Sequence, residues 1–152
     1  MPPNPLIESL DRLWLHLESC DLRPILAGGL ALAFWGNPRS TQDLDLALLA
    51  PDDKTFSDRL YAFGLRRKTA DPISLGLFEL SQWNLPIPES YLEIDVDFLI
   101  SDSDYYVDVD RHAIAASFDG VSVPIRVMSV EDLIIHKVYA ERLIDQADVV
   151  GS

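Results

Sequence analysis

The chain has 152 residues, 48% of them hydrophobic, enough for one globular domain over residues 1–152 with a core of its own. Twelve Lys and Arg against 25 Asp and Glu leave a net charge of −13, which argues against nucleic-acid binding driven mainly by phosphate neutralisation. The single Cys20 excludes an internal disulfide, there is no CxxC for structural zinc, and no apolar run approaches the ~18 residues of a membrane span, so a cytoplasmic protein without membrane contact is expected.

Asn4-Pro5 followed by Leu6, Ile7, Leu10, Leu13, Trp14 and Leu17 predicts a capped amphipathic helix, with Asn at the cap and Pro in the first turn. The N-terminus has early acidic residues and no basic region before an apolar core, unlike a secretion signal. Ile25 to Ala27 reads as a short strand running into Gly28-Gly29, and Leu30 to Trp35 as a short helix ended by Gly36-Asn37-Pro38. Asp43 to Leu49 follows as a strand, then a turn at Pro51-Asp52-Asp53 capping a helix with Phe56, Leu60 and Phe63 on one face, ended by Gly64.

One or two strands are expected between Leu65 and Leu80, a proline-interrupted loop from Gln82 to Glu89, and a strand from Tyr91 to Ile100. Ser101 to Asp110 is acidic, rich in Tyr and without a clean period. Ala113 to Phe118 and Val121 to Val127 flank Asp119-Gly120, the pattern of a β-hairpin. Ser129 to Leu143 predicts the last helix, opened by a capping-box-like Ser129…Asp132, with Leu133, Ile134, Val138 and Leu143 near helical spacing. The alternation implies an α/β (α+β) fold with a mixed sheet flanked by helices.

Chemistry concentrates in residues 26–49. Asp43 and Asp45 stand two apart on a strand and so share a face. Two carboxylates at one spot repel unless a cation neutralises them. Magnesium takes one or two carboxylates plus substrate phosphates. Gly28-Gly29, between a strand and a helix, offers bare backbone N–H groups to an anion. An anion cradle beside a carboxylate pair points to phosphoryl or nucleotidyl transfer. The later strand offers Glu93, Asp95 and Asp97 for a third carboxylate, and three carboxylates suit a two-metal site. Arg66-Arg67-Lys68 reads as a solvated basic patch or, alternatively, a contact for a nucleotide or RNA phosphate.

The run GGLALAFWGNPRSTQDLDLAL resembles the AbiEii toxins of the polymerase-β-like nucleotidyltransferase superfamily, whose signature is Gly-Gly or Gly-Ser, a short helix, then Gly-x-x-Arg-x-Thr-x-Asp-hydrophobic-Asp. SVEDLIIHKVYAERLIDQADV resembles that family's later helix, with Lys137, Arg142, Asp145 and Asp148 at its marked positions. The resemblance implies a nucleotidyltransferase-like sheet and transfer of a nucleoside monophosphate from an NTP to an acceptor hydroxyl on tRNA or protein, in a toxin–antitoxin or phage-defence setting with Mg²⁺ or Mn²⁺. It implies Asp43, Asp45 and Asp97 as catalytic metal ligands, Asp97 rather than Asp95 because it precedes Phe98-Leu99-Ile100. It further implies Gly28 and Gly29 at the triphosphate, Arg39 and Thr41 in the shaping loop, and Lys137 near the triphosphate.

Plainer roles stand beside these. Arg39 could pair with Asp43 or Asp45, and Lys137 with Asp132 or Glu141. Asp145 and Asp148 could cap or solvate a helix, while His16, His112 and His136 lack ligand spacing. Trp14, Trp35 and Trp83 read as core or interface, with Trp35 a candidate for the nucleotide pocket, and Cys20 as a partly buried small residue. The competing whole-chain reading is a catalytically silent nucleotide-binding or protein-interaction module. A helical partner or antitoxin chain could dock on the Leu6–Leu17 face.

Overall fold

The computed structural model describes residues 4–36 and 42–151, with side chains through residue 141. Arg39 and Thr41, and the side chains of Arg142, Leu143, Asp145 and Asp148, lie outside the described residues.

Helix α1 (Pro5–Ser19) begins where Asn4 Oδ1 accepts a hydrogen bond from the Leu6 N–H at 2.9 Å, with Pro5 at the first helical position. Leu6, Leu10, Leu13, Trp14 and Leu17 are buried. The face considered for a docking partner is therefore occupied by this chain's own core. Strand β1 (Ile25–Ala27) leads into α2 (Gly28–Phe34), and β2 (Leu44–Leu49) into α3 (Ser57–Phe63). Gly64, at φ +114°, closes α3 in the left-handed conformation that favours glycine.

Strands β3 (Arg66–Arg67) and β4 (Ile73–Ser74) both pair with β5 (Glu79–Pro86), which pairs antiparallel with β6 (Glu93–Ser101). The loop expected from Gln82 is thus strand as far as Pro86. Ser81, Trp83 and Leu85 alternate inward, and Pro86, which lacks an N–H, sits at the strand's end where it is tolerated. β6 starts two residues later than expected, since Tyr91 and Leu92 stand exposed in the connecting turn.

The acidic stretch without a clean period is also ordered. It forms α4 (Asp104–His112), capped by Ser103 Oγ, with Tyr106 and Val109 turned inward. The hairpin consists of β7 (Ile114–Ala116) and β8 (Ile125–Val127), antiparallel as expected. Its arms are shorter than the apolar runs, and Asp119-Gly120 turns within a longer connection.

The last helix, α5 (Val130–Gly151), opens with Asp132 N–H donating to Ser129 Oγ at 3.2 Å and Ser129 Oγ donating to Asp132 Oδ2 at 2.9 Å. Its inward residues are Asp132, Leu133 and His136, whereas Ile134 (56% exposed) and Val138 (47%) face outward, against the expected stripe.

The sheet runs β3-β5-β6-β2-β1-β8-β7, with β2 parallel to β6, β1 parallel to β8 and the other pairs antiparallel. This is the mixed sheet expected. One face carries Leu44, Leu46, Leu48, Val96, Phe98 and Trp83 into the core, where Phe56 reaches Phe98 and Tyr61 of α3 meets Trp83 edge-on. The opposite face, partly covered by α2, carries the site. No described helix is long and apolar enough to cross a membrane.

Candidate active site

Pairing register assembles the acidic centre. Asp45 of β2 lies opposite Ala27 of β1 on one side and opposite Asp97 of β6 on the other. In a parallel pair the strands are ~4.8 Å apart, so the two carboxylates rise side by side from one face. Asp95 is two residues along the same strand and engages Lys68 at 3.4 Å. Asp43 lies just before β2 and couples electrostatically to both Asp45 and Asp97.

The centre is held against its own repulsion. Burial first, then the charges of Asp97 and Asp43, raise the Asp45 pKa to about 7. Burial also raises Asp97, to about 6. Lys68 acts against that rise, and Asp43 and Asp95 add to it. Among the described residues no three His, Cys, Asp or Glu side chains close into a complete metal cage. Two neighbouring carboxylates match how magnesium is usually held, with substrate phosphates supplying further ligands.

Gly28 follows Ala27 directly and adopts φ +62°. A Cβ built there would lie 1.9 Å from Asp45 Oδ2. Glycine is required on two grounds: the backbone conformation, and the carboxylate packed against it. The tight turn brings the backbone at the start of α2 against the acidic pair.

A cavity of about 320 Å³ opens beside this turn. Gly28, Gly29, Asp45, Asp97 and Lys137 line its polar side, while Leu32, Leu75, Phe78, Leu80, Leu99 and Leu133 form an apolar wall. Lys137, from α5, therefore shares one concavity with the glycines and the carboxylates. The alternative partner Asp132 turns instead to Ser129, Tyr105 and His112.

His136 is buried behind Phe78, ring on ring at 4.5 Å. It accepts from the Tyr106 hydroxyl at Nε2 (2.9 Å), and its Nδ1–H donates to the Asp132 carbonyl (2.8 Å). Burial lowers its pKa and keeps the ring neutral, as a structural part of the cavity wall. Trp35 donates to the Met128 carbonyl at 2.8 Å and is not among the described residues that line this cavity.

The basic run divides three ways. Arg67 is half-buried, bonded to Asp53 and laid over Trp83, while Lys68 meets Asp95 and Arg66 meets Glu93. The solvated reading describes Arg66, which is exposed, whereas Arg67 is packed at the edge of the core against Trp83 and Asp53. The apolar cavity wall escaped sequence reasoning altogether, because Leu75, Phe78 and Leu80 lie in a segment with no clear period.

Comparison with known proteins identifies a family and a shared fold. The family model described as nucleotidyl transferase AbiEii toxin, type IV toxin–antitoxin system, matches residues 9–146. A protein from Thermotoga maritima, provisionally assigned as a nucleotidyltransferase, superposes with a TM-score of 0.63 at 14% identity, covering 95% of this chain and 89% of that one. ANT(2″)-Ia, solved with adenylyl-2″-tobramycin, gives a TM-score of 0.52 at 16% identity over 90% and 76% of the two chains. At these identities the two structures show a shared fold. Comparison with curated protein sequences returned no match.

Proposed function

The chain belongs to the AbiEii nucleotidyl transferase toxin family of type IV toxin–antitoxin systems, and from that premise we propose that it moves a nucleoside monophosphate from an NTP to an acceptor hydroxyl with the help of a divalent cation. The observation that carries this reading is the opposition of Asp45 and Asp97 in register, beside a glycine turn that only glycine can make.

The donor set fits a hard dication: two oxygen-bearing side chains, raised in pKa by burial and like charge, are the arrangement a bound cation relieves. Asp45 and Asp97, with Asp43 adjoining, would hold Mg²⁺ or Mn²⁺, which when bound neutralises phosphate charge and lowers the pKa of the acceptor hydroxyl. The backbone of Gly28 and Gly29 would cradle the triphosphate, and Lys137 would bind its oxygens as a point charge. The wall of Leu32, Leu75, Phe78 and Leu80 would take the apolar face of the nucleoside. Arg39 and Thr41 would shape the loop over the phosphates.

In the transfer the acceptor oxygen forms a bond to the α-phosphorus. The bond to the bridging oxygen breaks, and pyrophosphate leaves toward Gly28 and Lys137 with the electron pair. Asp97, on the far side of that line, would receive the hydroxyl proton. The toxin–antitoxin setting supports an antitoxin partner that restrains this activity.

Calorimetry with each NTP, with and without magnesium, on the wild type and on Asp45→Asn tests the reading. Magnesium-dependent binding of an NTP that the variant loses is the expected result. Binding that is equal with and without magnesium, or unchanged in the variant, would overturn it.

A further inference from the structure

Helix α5 brings Lys137 to the cavity, yet its own grip on the fold is largely polar. Of its described side chains, Asp132, Leu133 and His136 are buried, and only Leu133 is apolar. The polar two are met by α4. Asp132 accepts from the Tyr105 hydroxyl at 3.3 Å and lies 3.5 Å from His112 Nδ1. His136 Nε2 accepts from the Tyr106 hydroxyl at 2.9 Å. Asp132 and His136, four residues apart, share one face of α5, and Tyr105 and His112, seven apart, share one face of α4. The acidic, Tyr-rich stretch without a clean period is therefore the support on which α5 is set.

Such a support fixes a helix about its axis. Apolar contact is non-directional, whereas a hydrogen bond weakens steeply as its angle closes. The His136 bond is the strictest of the set. Nδ1–H is committed to the Asp132 carbonyl at 2.8 Å, so in the neutral ring Nε2 accepts, and Tyr106 is its donor. Burial keeps that hydroxyl protonated, far above its ordinary range. The flat side of the ring is held too, stacked on Phe78 at 4.5 Å.

Resting on the nucleotidyltransferase reading above, we infer that Tyr106, acting through His136, is a positioning residue that sets α5 so that Lys137 meets the triphosphate.

Lys137 follows His136 directly, and both line the cavity. Among the described residues Lys137 has no ion-pair partner, so its helix is what aims it. At a radius of about 5–6 Å, a turn of ~20° about the helix axis carries a side-chain tip by about 2 Å. Catalytic geometry is sensitive to displacements of ~1 Å. Tyr106 itself does not line the cavity, so its hydroxyl reaches the nucleotide only through α5. A Tyr106 that merely filled the core would need its ring, which is 1% exposed, and not its hydroxyl. Removing the oxygen alone separates the two roles.

The test is a double-mutant cycle on wild type, Tyr106→Phe, Lys137→Met and the double variant, each titrated by NMR on ¹⁵N-labelled protein. The probes are non-hydrolysable analogues of ATP, GTP, CTP and UTP and the matching nucleoside monophosphates, with and without magnesium. Circular dichroism checks that each variant is folded at the working temperature. Tyr106→Phe is expected to weaken the best-bound triphosphate analogue roughly three- to tenfold and to leave its monophosphate within about twofold. In the Lys137→Met background the same change should cost almost nothing more. If Tyr106→Phe does not fold, Tyr105→Phe, at the half-buried bond to Asp132, takes its place with the same pattern and a loss of roughly two- to threefold. The inference is overturned if triphosphate binding is unchanged, if the monophosphate weakens equally, if Lys137→Met binds as wild type does, or if the two losses simply add. The nucleotidyltransferase reading fails separately, and the inference with it, if wild type binds no triphosphate analogue more tightly with magnesium than without.

Discussion

The two faces of the central sheet bury carboxylates on opposite terms. On the core face Asp53 is 2% exposed and fully answered: Arg67 bonds to it, Ser81 Oγ lies 3.4 Å away, and Trp83 donates to that same Ser81 at 2.7 Å. On the other face Asp45 is also largely withdrawn from water, but its neighbours Asp97 and Asp43 are like charges. A fold selected only for stability would not keep the second arrangement, because buried charges are tolerated where they are paired. The difference is the one expected between a group that serves the structure and one that, in the function proposed above, serves a ligand. Local conflict of this kind concentrates at functional sites.

The comparison breaks most severely if the answered pair is cut. Asp53→Ala leaves the Arg67 guanidinium half-buried and uncompensated, and should lower stability by about 3–5 kcal/mol. Chemical denaturation at constant m-value measures it. At a temperature where the variant remains folded, NTP binding should be retained. Asp45→Asn should do the reverse, lowering transfer activity by roughly a hundred- to a thousandfold while leaving the protein folded. Single-turnover rates with labelled NTP, alongside circular dichroism, distinguish the two variants. If both lost stability alike, the contrast between the faces would be wrong.

Gly28→Ala probes the contact between glycine and carboxylate. The positive φ alone costs about 1–2 kcal/mol for an L-residue. The added Cβ, 1.9 Å from Asp45 Oδ2, must also drive that carboxylate aside. Magnesium-dependent NTP binding should weaken although every carboxylate is still present. An unchanged calorimetric isotherm would show that the close approach does not matter.

The core face and the site face were not equally legible. Alternation in residues 44–49 predicted β2, and Asn4-Pro5 predicted the start of α1, since both signals are local. That Asp97 rather than Asp95 faces Asp45 depends on interstrand register, which no single strand encodes. β5 was hidden because Pro86 and Pro88 suggested a loop, although Trp83 and Leu85 were already alternating toward the core. α4 was hidden because it buries little more than Tyr106 and Val109, too narrow a stripe to give a period among so many aspartates. The Arg67–Asp53 pair joins residues across a helix and two turns, so in sequence Arg67 looked like one more surface cation.

The finest discrimination between the faces is a titration. The pKa values of Asp45 and Asp97 in the fold, about 7 and about 6, lie above their unfolded value of about 3.9. The folded protein therefore holds these protons more tightly than the unfolded chain. Their contribution to stability is complete below about pH 4 and is lost as the pH rises through 6 and 7. Asp45→Asn removes one titrating group and the repulsion it exerts on Asp97. The melting temperature of metal-free Asp45→Asn minus that of the wild type should therefore rise with pH, reaching a positive value at pH 8 that corresponds to on the order of 1 kcal/mol once partial solvent access is allowed for. Adding magnesium at pH 8 should raise the wild-type melting temperature and leave the variant nearly unchanged, closing the gap. A difference that stays flat from pH 4 to pH 8 would mean that the acidic pair is already neutralised within the fold, and the site face would then be no more strained than the core face.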